Sequence, residues 1–383
     1  MAFSFGFAGD DIDIDDTEVN NESPFVPAAA GQGAGNSLPE LVKANKHDMD
    51  EWLSILPSQI YYNRLEIGGT QIVIARREIF DIRTQLMAED NEGHDNEELI
   101  SGLEEGDLKP NFYEGGFKTW ECALDLAKLV TSENATTESP VSQTTTTTTH
   151  TIELGAGTAV PSLALFAHAL SQTEAVENGT PTRKTHFTFA DYNDSVLRLV
   201  TLPNLILTWH IITQSQDATS VVESQDGALP ANTTQDEELD ITPELLDTFK
   251  ADLTRRGISL SFISGAWSPE FVELVFSSPF GSGDDCQTLV LASETIYSPL
   301  SLVAFSETLL ALLRRSSTAS SKTRALVAAK KVYFGVGGGV DEFLATLKNV
   351  CADELEAQQK VDIQSEGVGR VILEVTPVGS GAQ

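Results

Sequence analysis

Basic residues are scarce in this chain. Only 24 lysines and arginines stand against 57 aspartates and glutamates, a formal net charge of −33 over 383 residues. A surface of that sign repels nucleic-acid phosphates and anionic membranes. It attracts basic partners over long range. Cysteine is scarce too. Cys122, Cys286 and Cys351 cannot all pair, and none has a second cysteine at zinc-ligand spacing. The histidines at 47, 94, 150, 168, 186 and 210 form no ligand spacing, so no metal is expected. No apolar run approaches the length of a membrane span, and no secretory segment opens the chain. Sequons at Asn21, Asn134, Asn178 and Asn232 mean little without secretion. These absences favour an intracellular, reducing setting, with no membrane and no direct nucleic-acid binding. What is present is a core, since 41% of the residues are hydrophobic.

Residues 1–54 read as a disordered acidic tail. Phe3, Phe5 and Phe7 beside the acids of 10–16 are either a short docking motif or a plain flexible end. Residues 55–130 form an N-terminal extension. Apolar alternation over 60–67 and 70–75, across Gly68-Gly69, predicts a hairpin. A short helix follows through Ile79, Ile82 and Leu86, and 88–109 is an acidic linker. Gly115-Gly116 make a loop, and a helix starts near Thr119. Residues 131–149, with six consecutive threonines, read as a disordered insert.

From 150 to 377 strands and helices alternate. Strands are expected at 150–154, 186–190, 259–263, 288–292 and 331–334, with polar inserts at 171–183 and 213–240. Helices fall at 159–170, after Asn193, at 243–256, at 299–314 and at 341–357. A hairpin of 361–363 and 370–375 ends the pattern. Five strand–helix units closed by a hairpin predict an α/β fold, a doubly wound and mostly parallel sheet with an antiparallel end.

In such a sheet the ligand sits beyond the C-terminal ends of the strands. The first strand ends in Glu153 and the turn Gly155-Ala156-Gly157, whose glycines carry no Cβ and let the backbone approach a ligand. The second ends in Asp191-Tyr192-Asn193, the third in Ser264-Gly265-Ala266-Trp267, the fourth in Ser293-Glu294-Thr295-Ile296-Tyr297. Asp191 suits ribose hydroxyls, or it caps the next helix. Trp267 either stacks on an aromatic ring or belongs to the core. A dinucleotide is poorly served. The third glycine of G-x-G-x-x-G falls at Val160, and no Gly-Lys-Ser/Thr follows. An acid before the glycines opposes phosphate and suits a cation. S-adenosylmethionine has a sulfonium, an amino group and no phosphate, and fits that pattern.

The chain resembles the seven-β-strand methyltransferases, and among them the histidine protein methyltransferase family. The matching stretches are 113–122 (Tyr-Glu-Gly-Gly-Phe-Lys-Thr-Trp-Glu-Cys), 153–157 (Glu-Leu-Gly-Ala-Gly), 190–193 (Ala-Asp-Tyr-Asn) and 293–297 (Ser-Glu-Thr-Ile-Tyr). The resemblance covers roughly 55–130 and 150–377, and the Glu-Gly-Gly-x-Lys-x-Trp-Glu-Cys and Asp-Tyr-Asn elements are the discriminating ones. It implies a seven-stranded Rossmann-like methyltransferase sheet with an antiparallel C-terminal hairpin and an N-terminal hairpin-and-helix extension. It also implies S-adenosylmethionine as cofactor. Thr119, Trp120, Glu121, Cys122 and Ala123 are then expected at its methionine end. Glu153, Gly155 and Gly157 lie under the methionine and ribose. Asp191 holds the ribose, with Tyr192 and Asn193 beside the adenine. Ser264, Gly265, Ala266 and Trp267 flank the adenine, and Ser293 lines the transfer face.

The implied substrate is a basic protein, the large-subunit ribosomal protein L-three, met by a monomer in cytoplasm and nucleus. A histidine side chain has a pKa of about 6.5 and is mostly neutral at pH 7. One ring nitrogen then has a free lone pair, so no strong base is needed. The enzyme must position the ring and fix its tautomer. Asn193 and Glu294 are candidate acceptors for the other ring N–H, with Tyr297 lining the slot. A loop hydrogen bond, a helix cap and core packing are the respective structural alternatives. A lysine acceptor of the same fold is the alternative within the enzyme class, since Glu294-x-x-Tyr297 resembles the Asp-x-x-Tyr of lysine methyltransferases. A non-catalytic acidic escort for a basic ribosomal protein is the alternative outside it.

Overall fold

The computed structural model describes residues 42–91, 115–137, 147–172, 183–222, 237–277, 286–317, 322–334, 337–364 and 367–378. The Phe3/Phe5/Phe7 motif, most of the acidic linker and the centres of the polar inserts lie outside these residues.

The main sheet has eight strands. In chain order they are β1 (Asn45–His47), β4 (Thr147–Leu154), β5 (Arg183–Asp191), β7 (Ile258–Ser264), β8 (Cys286–Ser293), β9 (Thr323–Lys330), β10 (Leu355–Ile363) and β11 (Arg370–Pro377). Their spatial order is β1-β7-β5-β4-β8-β9-β11-β10. β7, β5, β4, β8 and β9 run parallel. β11 is antiparallel to both β9 and β10. Seven of these strands are the expected doubly wound sheet with its reversed end. The eighth, β1, pairs antiparallel with β7 at the edge.

Helices cover both faces. α3 (Glu121–Thr137), α4 (Val160–Gln172) and the helical run α5 (Asp194–Val222, with a π turn at Leu197–Thr201) lie on one side. α7 (Pro269–Val275), α8 (Leu302–Ser316) and α9 (Val340–Cys351) lie on the other. α6 (Pro243–Arg255) completes the first side, its start fixed by Pro243 and by the Thr242 hydroxyl, which accepts from Leu245 N. α7 opens in the same way, with Ser268 accepting from Phe271 N. β4 alternates cleanly: Ile152 and Leu154 enter the α8 side, while Glu153 points the other way. The segment Asp194–Gln216 of α5 is long and apolar enough to cross a membrane, but most of it is buried within the molecule.

The N-terminal extension folds as expected, with one addition. β2 (Gln59–Glu66) and β3 (Val73–Arg77) form the hairpin, and α2 (Ile79–Asn91) follows. β6 (Glu237–Asp240), at the end of the second long insert, adds a third strand beside β2. β3 is the edge of this small sheet, and α5 satisfies its backbone: Ala75 N donates to Thr208 Oγ1 (3.0 Å) and Arg77 N to Asn204 Oδ1 (2.7 Å).

Four expectations are corrected. Residues 42–54 are not tail: they form β1 and α1 (Met49–Ser54), with Trp52 and Leu53 buried. The inserts at 131–149 and 213–240 are shorter than read, because α3 runs to Thr137, β4 starts at Thr147 and α5 reaches Val222. Strand five is Thr323–Lys330, not 331–334, which is a loop that leaves Phe334 79% exposed. The last helix stops at Cys351, and β10 begins six residues before the expected start, Leu355 against Val361.

Candidate active site

The C-terminal ends of β4, β5, β8 and β9 converge on one place, and the loop 115–120 closes over it. The glycine turn is its floor. Gly155 (φ +64°) and Gly157 (φ +51°) adopt left-handed backbone. A Cβ on Gly155 would meet Thr295 Cγ2 at 2.8 Å, and one on Gly157 would meet the carbonyl oxygen of Gly116 at 3.1 Å. The turn is thus pressed between the loop before α3 and the loop after β8, and only glycine fits both places. Thr201 Oγ1 and Asn204 Nδ2, both on α5, donate to the carbonyls of Gly157 and Thr158 and hold the turn from beneath.

Asp191 ties two loops together. Its Oδ2 accepts from Gly157 N (3.0 Å) and its Oδ1 from Asn193 N (3.2 Å). Its backbone carbonyl accepts from Gly265 N. The carboxylate therefore stands at the lip of the turn. Asn193 caps the start of α5 without a side-chain bond in that role. The Tyr192 hydroxyl accepts from Val42 N (3.4 Å).

The loop before α3 supplies the opposite wall. Thr119 Oγ1 donates to Thr158 Oγ1 (3.0 Å), and Trp120 Nε1 to the Gly115 carbonyl (3.0 Å). The Lys330 ammonium sits 5.3 Å from the Trp120 ring centre and pairs with Glu121 (3.2 Å). A cleft of about 210 Å³ opens where Thr119 and Thr158 meet Arg76 and Glu78 beyond β3.

The loop after β8 carries the strongest polar feature. Glu294 holds left-handed backbone (φ +56°), uncommon for a residue with a Cβ. Its Oε2 accepts from the Tyr333 hydroxyl at 2.6 Å. Its Oε1 is buried and has no N–H or O–H partner, with the Cys122 thiol beside it. Burial first, and the Glu294 charge second, push the Cys122 thiol far above its ordinary range, so it stays a neutral packing group. The Tyr333 hydroxyl is pushed up for the same two reasons and remains a donor. Lys330 N donates to that hydroxyl (3.2 Å). Tyr297 meets the Tyr333 ring edge-on at 6.4 Å.

Several expected residues lie below the surface of the site. Glu153 is fully buried; its Oε2 accepts from Ser162 N (3.0 Å), so it serves the first turn of α4. Cys122 is fully buried and Ala123 nearly so. Ser264 is buried and shares a hydrogen bond with His47 Nε2 (2.7 Å). Gly265 (φ +102°) is roofed by residues 43–44, since a Cβ there would meet the Lys43 carbonyl oxygen at 2.6 Å. Ala266 N donates to the Val42 carbonyl (2.9 Å). Trp267 packs on Phe305, ring centres 5.1 Å apart, which is its core alternative. The third strand end is therefore covered by the chain before β1, which sequence reasoning placed in the tail. Ser293 ends β8 half-buried. Tyr333, Lys330 and Thr295 were missed. The run 337–339 was the available signal for Tyr333: a Cβ on Gly338 would overlap the Tyr297 carbonyl oxygen at 2.1 Å, so glycine alone lets the Tyr333 loop close on the β8 loop.

No family model matches the sequence. Curated relatives do. Histidine protein methyltransferase 1 of Schizosaccharomyces pombe is 35% identical over 374 residues, covering 97% of this chain and 92% of that protein. The chain belongs to the histidine protein methyltransferase family. The Saccharomyces cerevisiae member, of the same name, is 35% identical over 365 residues, covering 91% of this chain and 90% of its own length. A Rattus norvegicus homologue is 30% identical over 270 residues, 70% of this chain and 59% of that protein.

The cofactor of this methyltransferase is S-adenosylmethionine, and the residues present fit it. The glycine turn is a cradle that a Cβ would fill. Among the described residues the groups at the turn itself are the Asp191 carboxylate, the Thr119 and Thr158 hydroxyls and backbone, the Lys330 ammonium at the outer wall is paired with Glu121, and Glu294 Oε1 has only the Cys122 thiol beside it. That donor set suits a ligand bearing a sulfonium and an ammonium.

Proposed function

We propose that the enzyme methylates a ring nitrogen of a histidine in a basic ribosomal protein of the large subunit, L-three. Bound over the glycine turn, the cofactor supplies a methyl group made electrophilic by its sulfonium. Asp191 and the backbone of 155–157 would hold its ribose and methionine portions. The protein's own task is to bring one imidazole nitrogen into line and to keep water out.

The Glu294 carboxylate, held by Tyr333 on left-handed backbone just after β8, is the observation that carries this reading. A neutral imidazole has one N–H and one lone pair. An acceptor for the N–H fixes the tautomer and leaves the other nitrogen free to react. It also takes up charge as the ring becomes an imidazolium. Tyr333 holds Oε2 of that carboxylate, and Oε1 has only the weakly donating Cys122 thiol beside it. No proton has to be removed beforehand, and Cys122 and Tyr333 are both held protonated beside the carboxylate.

The choice of L-three is supported by charge and by the family resemblance in the motifs. A net charge of −33 complements a strongly basic ribosomal protein. Association should therefore weaken as salt rises. The test is labelled methyl transfer onto purified large-subunit ribosomal proteins, followed by mass mapping. Label on one histidine of L-three is the expected result. Label on a lysine, or on another protein alone, would refute the substrate.

A further inference from the structure

Leu300 is 95% exposed and Phe334 79% exposed, the two most exposed large apolar side chains among the described residues. Val303 and Val332 are each 49% exposed. All four sit on the two loops that follow β8 and β9 or on the first turn of α8. These loops touch. A Cβ on Gly337 would come within 3.8 Å of Pro299, and one on Gly338 would meet the Tyr297 carbonyl oxygen at 2.1 Å. The same loops carry Glu294, Tyr297 and Tyr333. A chain this acidic has polar residues to spare for loop tips, yet apolar ones stand at this rim.

We infer that these residues form a docking rim for the protein substrate, and that it takes apolar side chains flanking the acceptor histidine. The inference rests on the functional reading above. The acceptor ring belongs to a polypeptide. To bring that ring to Glu294, the residues on either side of it must cross the ends of β8 and β9, where the rim stands. Exposed apolar side chains gathered on touching loops mark an interaction site, and here the same two loops carry Glu294 and Tyr333. Charge then gathers the basic protein from a distance, and the rim selects the segment.

The test is a Leu300→Ser/Phe334→Ser enzyme, full length, with L-three as acceptor. Both side chains are exposed, so the fold should tolerate the change. The acceptor KM should rise about tenfold or more, the scale expected for losing two buried apolar contacts. The saturated rate and cofactor affinity should stay within about twofold. Val378→Ser, exposed on another part of the surface, should leave KM unchanged. A peptide with its histidine between two leucines should be preferred by the wild type over one with two serines, and the double variant should lose that preference. An unchanged KM and an unchanged peptide preference would overturn the rim. So would a wild-type dimer that the double variant abolishes without effect on KM, since the rim would then serve self-association. If the wild type labels no histidine at all, the functional reading falls first and takes the rim with it.

Discussion

Replacing Tyr333 by phenylalanine removes one oxygen from the site and little else. That oxygen donates to the Glu294 carboxylate at 2.6 Å and accepts from Lys330 N at 3.2 Å. Glu294 depends on it, because its own backbone is in the left-handed region and its other oxygen has only a thiol beside it. A hydrogen bond to a charged group contributes roughly 1.5–3 kcal/mol. If that energy holds Glu294 in the geometry that orients the acceptor ring, the saturated rate should fall about 10- to 100-fold. Acceptor KM and cofactor affinity should change by no more than about twofold. Steady-state rates with labelled cofactor give the rate and KM, and calorimetry gives the affinity. Glu294→Gln should lose at least as much, and the double variant should add little to it, because both changes act through one carboxylate. A Tyr333→Phe enzyme with a normal rate would refute the argument. So would a rate loss matched by an equal loss of cofactor affinity, which would make Tyr333 a prop for the pocket.

Two further outcomes follow from the same geometry. Asp191→Asn turns one carboxylate oxygen into a donor against a backbone N–H of Gly157 or Asn193; cofactor affinity should drop about 10- to 100-fold by calorimetry, and an unchanged affinity would remove Asp191 from the site. The His150 and His186 rings lie 4.7 Å apart in the core, tilted to one another, and burial lowers their pKa values from 6.5 to about 3 and about 4. Below pH 6.5 the unfolded chain binds protons that the native state refuses, so stability should fall by about 1.4 kcal/mol per pH unit per ring down to about pH 4. In a Glu153→Gln enzyme, which lacks the opposing titration of Glu153, equal denaturant midpoints at pH 7 and pH 5 would contradict this.

The central strands were legible because burial leaves a pattern in sequence. β4, β5, β7 and β8 are apolar runs that end in Glu, Asp, Ser or Gly, and those endings placed the site. β9 was not legible. Thr323–Lys330 has three alanines, two charges and little β-branching, and the sheet imposes its conformation from both sides. Residues 331–334 look more like a strand, yet Phe334 is turned outward. β1 and β6 are Asn-Lys-His and Glu-Glu-Leu-Asp, edge strands too short and polar for any side-chain periodicity to announce. For the site the division is similar. Residues directly after a strand follow from topology. Tyr333 does not, because its contact with Glu294 needs two loops to meet at Gly338.

Glu153 is where the sequence argument and the structure part most usefully. An acid before the glycines seemed to set the charge of the pocket. In the fold it is fully buried, and burial raises its pKa to about 8, with Asp191 adding and Ser162 N opposing. It is then mostly protonated at neutral pH, and the charge that disfavours a phosphate comes from Asp191 instead. The sign is testable. The native state keeps a proton that the unfolded chain loses above about pH 4.5, so stability should fall as pH rises toward 8, by about 1.4 kcal/mol per unit. Glu153→Gln keeps the acceptor for Ser162 N and removes the titration. Its stability should therefore decline by about 3 kcal/mol less between pH 5.5 and 8 than the wild type's. Its cofactor affinity at pH 7 should be close to normal. Glu153→Ala should be weaker at every pH, because Ser162 N is left without a partner beside a cavity. A Gln variant with the wild-type pH slope, or one that no longer binds cofactor, would mean that Glu153 is ionised in the working enzyme and that the original charge argument was right.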